Sequence, residues 1–97
     1  MPTYITLLKW TEQGIRDVKQ SPQRLDAAKQ AFSAAGGKMT GFYMVMGEYD
    51  LVTISEAPSD EAYTSTMLAL SSRGSIRTTT LKAFTEEEYR RIIGSLP

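Results

Sequence analysis

The chain has 97 residues, of which 41% are hydrophobic and 23% charged, with eleven Lys plus Arg against eleven Asp plus Glu. That is one domain spanning residues 1–97, and its zero net charge excludes the cationic footprint that displaces counterions from nucleic-acid phosphate. It contains no Cys and no His, which excludes disulfide scaffolds, thiolate catalysis, ordinary zinc sites and any triad with imidazole as its base.

Thr3 through Trp10 is rich in β-branched and aromatic residues and reads as a first strand. Thr11 caps a short helical turn running to Val18, although Gly14 weakens it by about 1 kcal/mol relative to Ala. Ser21-Pro22 then starts a helix, with Ser as N-cap and Pro at the first helical position. Leu25, Ala28, Phe32 and Ala35 recur at helical spacing on one face, and Gly36-Gly37 ends the helix. Lys38 through Met46 is a second strand, joined to a third (Tyr49 through Ala57) by a two-residue Gly47-Glu48 hairpin loop. Gly41 inside the second strand marks a bulge or a close backbone approach.

Ser59 caps a second helix with Asp60 and Glu61 in its first turn. Its buried stripe is Ala62, Thr66, Met67, Ala69 and Leu70, and Gly74 closes it. Ile76 through Phe84 is the fourth strand. Thr85 and Glu88 form a capping box for a terminal amphipathic helix carrying Tyr89, Ile92, Ile93 and Leu96. Met1 through Tyr4 has no basic stretch leading into an apolar core, and no apolar run reaches the roughly 20 residues needed to cross a bilayer. The expectation is a soluble cytoplasmic protein with no membrane and no nucleic-acid partner.

The order strand–helix–strand–strand–helix–strand, with right-handed crossovers and a central hairpin, predicts an α+β ferredoxin-like βαββαβ sandwich. Its antiparallel sheet has strand order 4-1-3-2, both helices cover one face, and a C-terminal helix is appended. A sheet covered on one side should alternate apolar and polar residues, yet neither face of the first two strands is hydrophilic. Ile5 and Leu7 oppose Tyr4, Thr6, Leu8 and Trp10, and Phe42, Met44 and Met46 oppose Met39, Gly41, Tyr43 and Val45. The uncovered side therefore exceeds the apolar patch a monomer usually exposes, and a second copy of the same chain is the economical cover.

Gly47-Glu48-Tyr49-Asp50, preceded by Gly41-Phe42-Tyr43-Met44-Val45-Met46, resembles the signature of the GYD-domain family. The likeness is collinear over nearly the whole chain. It takes in Pro2 to Ile5, Leu8 to Thr11 with Gly14-Ile15, Ser21 to Leu25, Ala34 to Gly37, Asp50 to Val52, Glu56 to Pro58, Ile76 to Leu81 and Ala83 to Thr85. The resemblance implies a dimeric α/β-barrel type of ferredoxin-like fold and a homodimer or higher oligomer. It supplies no particular function, and Glu48 fills the signature's variable slot; no cofactor is expected.

In this topology the first strand ends where the third and fourth begin, which brings Lys9 and Trp10 near Tyr49, Asp50 and Arg77. Arg77 can grip a carboxylate in bidentate fashion, Asp50 can act as a base if burial raises its pKa, and Tyr49 can donate a proton. Lys9, Trp10, Tyr43, Tyr49, Asp50 and Arg77 are thus the candidate ligand-binding set, with Asp50 and Tyr49 the candidate catalytic pair. The plainer reading is that Lys9, Asp50 and Arg77 neutralise one another at a sheet edge. Tyr4, Trp10, Tyr43, Met44 and Met46 either line a cavity between the sheets of a dimer or are ordinary packing. Three functional classes follow: a homo-oligomeric module that binds a small aromatic or anionic ligand, a cofactor-independent monooxygenase or isomerase acting on a small aromatic or lactone-like compound, and a ligand-sensing regulatory module. An enclosed pocket of a few hundred Å³ reached by Asp50 or Tyr49 separates the last two from the first.

Overall fold

A computed structural model describes all residues from Met1 to Pro97. The strands are β1 (Thr3–Trp10), β2 (Lys38–Met44), β3 (Leu51–Glu56) and β4 (Ile76–Ala83). They form one antiparallel sheet in the order β2-β3-β1-β4, which is the predicted order read from the other edge. The helices are α1 (Glu12–Arg16), α2 (Ser21–Ala34), α3 (Asp60–Ser71) and α4 (Glu86–Gly94). Since successive strand residues point to opposite faces, Tyr4, Thr6 and Leu8 are buried beneath the helices while Ile5 and Leu7 alternate with them on the other side. Leu51, Thr53 and Ser55 of β3 repeat the pattern.

The core under the helices is an aromatic cluster. Tyr4 stacks on Tyr63 with ring centroids 4.0 Å apart, and Phe32 tilts against Tyr63 at 5.9 Å. Ala57, Met67 and Leu70 complete the cluster, with Ala28, Ala31 and Met39 packed around it. Several helix ends are set as the residues dictate. Thr11 accepts the Gly14 N–H, Ser59 accepts the Ala62 N–H, and Thr85 with Glu88 makes a reciprocal capping box. Gly36 adopts φ 83°, which lets the Gly37 N–H reach back to the Phe32 carbonyl at 2.8 Å and close α2.

Four local expectations change. Ser21 does not cap α2 but lies inside it, because a 3₁₀ turn at Val18–Gln20 runs directly into the helix. The hairpin loop is longer than two residues: β2 ends at Met44, and only the Val45 N–H to Asp50 carbonyl bond (2.8 Å) carries the pairing further. The buried stripe of α3 is Tyr63, Thr66, Met67 and Leu70, with Ala69 exposed. Finally, α4 buries none of its residues, although its apolar side chains fall on one stripe. The bulge expected at Gly41 is present as a register shift between Met39 and Gly41. No helix is long and apolar enough to cross a membrane.

Candidate functional site

The side of the sheet opposite the helices carries no covering layer, and its residues fall into cross-strand rows. One row runs Leu81, Ile5, Ile54, Gly41; the next runs Thr79, Leu7, Val52, Tyr43. Charged groups bound this apolar centre, with Lys38 and Glu56 at one end and Lys9 beside Arg77 at the other. Neighbours shield Ile5, Leu7, Val52 and Ile54 in part, whereas Leu81 is 49% and Tyr43 61% exposed.

At the Lys9 end of this face, Lys9 lies beside Glu48 and Tyr49 and opposite Arg77 on β4. The Lys9 ammonium stands 5.3 Å from the centroid of the Tyr49 ring and 3.8 Å from Glu48. Asp50 binds backbone on three sides. Its N–H donates to the Leu8 carbonyl (2.9 Å), its carbonyl accepts from Val45 N–H (2.8 Å), and its carboxylate accepts from the Trp10 N–H (3.0 Å). The side chain thus supplies the ladder partner that β3 lacks just before it begins, joining β1 to the β2–β3 hairpin. Gly47 reaches φ 119°, a left-handed conformation that glycine adopts without a Cβ clash. The Gly-Glu-Tyr-Asp run is therefore a turn with a built-in backbone clamp. Asp50 and Arg77 form no ion pair, and Lys9 pairs with Glu48 instead, so the expected mutual neutralisation of Lys9, Asp50 and Arg77 does not occur.

Trp10 parts company with the other five candidates. Its place in the alternation puts it on the helix side, where with Leu8, Arg24, Leu25, Phe32 and Ile76 it lines a cavity of about 80 Å³. Tyr4 likewise faces the helices and cannot line a space between two sheets. Ligand sites commonly occupy roughly 300 Å³ or more, and neither Asp50 nor Tyr49 lines this small cavity.

Asp50→Ala should lower stability by about 2 kcal/mol, the usual cost of a charge-assisted bond left unmade. Asp50→Asn, which keeps an acceptor oxygen, should recover most of that loss. Urea denaturation of the two variants checks this, and equal stability of Asp50→Ala and the parent would remove the clamp.

A second polar constellation escaped the sequence reading. The Tyr4 hydroxyl donates to Asp60 at 2.5 Å, and Lys82 reaches the other oxygen of the same carboxylate at 3.0 Å. Burial, reinforced by the bond to Asp60, pushes the Tyr4 phenol up to about 12, and the bonds from Tyr4 and Lys82 lower the Asp60 pKa. The Tyr63 hydroxyl links Thr6 to Thr80, the latter at 3.0 Å. Tyr4, Asp60, Tyr63, Thr80 and Lys82 line a cleft of about 460 Å³ between α3 and β4. For Tyr63 alone the sequence carries a signal: Tyr63, Thr66, Met67 and Leu70 fit the helical period better than the two alanines, which turns Tyr63 toward Tyr4 and Thr6.

A four-stranded antiparallel sheet with helices on one face, closed by a Gly-x-Tyr-Asp clamp, defines a small ferredoxin-like domain of the GYD type. The chain belongs to the GYD-domain family, whose pattern matches residues 4–93. It is 36% identical over 84 residues to the "Glutamine synthetase and cystathionine beta-lyase binding protein" of Thermus thermophilus, covering 86% of this chain and 88% of that one. Among solved structures it is similar to FFRP-DM1, with TM-score 0.60 and 21% identity over 87% of this chain and all of that one. It is also similar to TTHA0845 from Thermus thermophilus, with TM-score 0.55 and 24% identity, covering 88% of this chain and 95% of that one. These two structural likenesses concern the fold alone.

Proposed function

We propose that this chain is a homo-oligomeric binding module that associates with other proteins. The observation that carries the reading is the uncovered sheet face: Ile5, Leu7, Val52, Ile54 and Leu81 form a contiguous apolar centre with polar groups at both ends, the anatomy of a protein interface. A second copy related by a two-fold axis covers it most simply. The same argument applies to α4, whose Tyr89, Ile92 and Ile93, with Leu96 just beyond it, are between 43% and 62% exposed. Lys9, Tyr43, Tyr49 and Arg77 then act as docking groups at the interface edge, where aromatic and Arg side chains are effective.

The Thermus relative is named for binding two enzymes, glutamine synthetase and cystathionine β-lyase, which supports association with other proteins as the role here. A cofactor-independent monooxygenase or isomerase acting through Asp50 and Tyr49 on a small aromatic or lactone-like compound has less support. The Asp50 carboxylate is engaged by the Trp10 N–H, and neither Asp50 nor Tyr49 lines the helix-side cavity or the cleft between α3 and β4. The test immobilises the purified protein and measures binding of glutamine synthetase and of cystathionine β-lyase from the same organism by interferometry. Saturable binding of either enzyme is expected, and retention of neither counts against the adaptor role.

A further inference from the structure

The sheet has two edges, and they are not alike. The bulge between Met39 and Gly41 breaks the β2 edge, a common way of blocking further strand pairing. The β4 edge has no such protection: eight consecutive residues, Ile76 through Ala83, pair with β1 in unbroken register and include no proline. Leu8 turns its carbonyl to β3, where it accepts the Asp50 N–H. By alternation Lys9 and Leu7 turn theirs to β4, and the N–H and C=O groups of Ile76, Thr78, Thr80 and Lys82 point away from the sheet. None of those outward groups has a hydrogen-bond partner within the chain.

The side chains of Thr78, Thr80 and Lys82 border the cleft beside α3, whose wall holds Met67 and Leu68, the latter 66% exposed. An open strand edge alongside a helical wall is a geometry in which an extended peptide can add as a further strand. Main-chain bonds give affinity, and alternate side chains enter the groove. We infer that β4 and α3 together form a peptide-binding groove for an extended segment of another protein, with an apolar side chain seated against Met67 and Leu68. This rests on the protein-binding reading above and locates where a partner is held.

A second copy of this chain fits the groove poorly. Two β4 strands paired antiparallel about a two-fold over their full length set Thr78 against Thr80 and Ile76 against Lys82. The groove-facing side chains would then be two short threonines beside the apolar wall, with the one large apolar residue at the far end by the Lys82–Asp60 pair. A foreign strand with an apolar residue at the central alternate position fills that space. About eight residues at roughly 3.3 Å each match the length of β4.

The experiment pans a phage-displayed library of random linear peptides, each about 12 residues long so as to exceed the β4 edge, against the full-length protein. The labelled consensus peptide is then titrated by fluorescence anisotropy. A saturable peptide with apolar residues at alternate positions is expected, and its binding should slow amide exchange at Thr78, Thr80 and Lys82. Leu68→Lys, at an exposed position where the fold is indifferent, should weaken binding at least tenfold. Thr78→Pro, which removes an outward N–H from an edge strand, should do the same. No enriched peptide, or equal binding to Leu68→Lys and the parent, would overturn the inference. Exchange protection of those amides that rises with protein concentration in the free protein would overturn it too, in favour of a second copy. Sedimentation of the same samples separates the two readings: a monomer that binds peptide fails only the oligomer, and an oligomer that binds none fails only the groove.

Discussion

Gly14→Ala should destabilise the fold by about 2 kcal/mol, although alanine favours a helix by about 1 kcal/mol over glycine. The reason is a close approach of α1 to the loop before β4. A Cβ on Gly14 would sit 2.0 Å from the Ser75 carbonyl oxygen, and that oxygen cannot retreat because it accepts the Thr11 N–H at 3.0 Å. The Thr11 hydroxyl adds a bond to the Gly74 carbonyl at 2.5 Å, and the Gln13 amide reaches the Arg73 carbonyl at 3.5 Å. Forcing extra volume into such a contact typically costs about 1–3 kcal/mol or more, which outweighs the propensity gain. A fall in the thermal midpoint on the order of 10 °C should accompany the change in a chain of this size. An alanine variant as stable as the parent in thermal and urea unfolding would show that α1 and the loop can separate freely.

Ile54→Glu should convert the proposed oligomer to a monomer while leaving the fold standing. Ile54 lies in the apolar row between Ile5 and Gly41, on the face away from the helices, so in a single chain the new carboxylate remains in contact with water. Its cost to an isolated chain is that of a strand-surface substitution, within about 1 kcal/mol. In an oligomer the same charge would be buried without a partner, and uncompensated buried charge costs several kcal/mol. Light scattering reads the mass, and circular dichroism checks the fold. A variant that keeps the parent's mass would place the interface elsewhere, with α4 the next surface to substitute.

The sequence disclosed the fold because local rules and topology agree along most of this chain. The stop at Gly36, the caps at Thr11, Ser59 and Thr85, and the bulge near Gly41 each follow from one residue's backbone or side-chain chemistry. Contacts distant in sequence were less legible. Strand order alone brings the rim residues Lys9, Tyr49 and Asp50 together. The role of Asp50 is not legible, because no local pattern says that its carboxylate meets the Trp10 N–H 40 residues away. Gly14 shows the same limit with opposite sign: its helix propensity reads as a weakness until the Ser75 carbonyl is seen against it. The shared position at the end of the first strand groups Trp10 with Lys9, although one step along a strand reverses the face. The Tyr4–Asp60–Lys82 set joins β1, α3 and β4 across 56 and 22 residues, beyond the reach of any spacing rule.

Sedimentation velocity of the full-length chain at tens of micromolar measures most directly whether the helix-free face is an interface. A species of at least twice the 10.8 kDa chain mass is expected, dissociating only on dilution. A single 10.8 kDa species at every concentration would contradict the account, since it would leave Ile5, Leu7, Val52, Ile54 and Leu81 against water in the functional molecule.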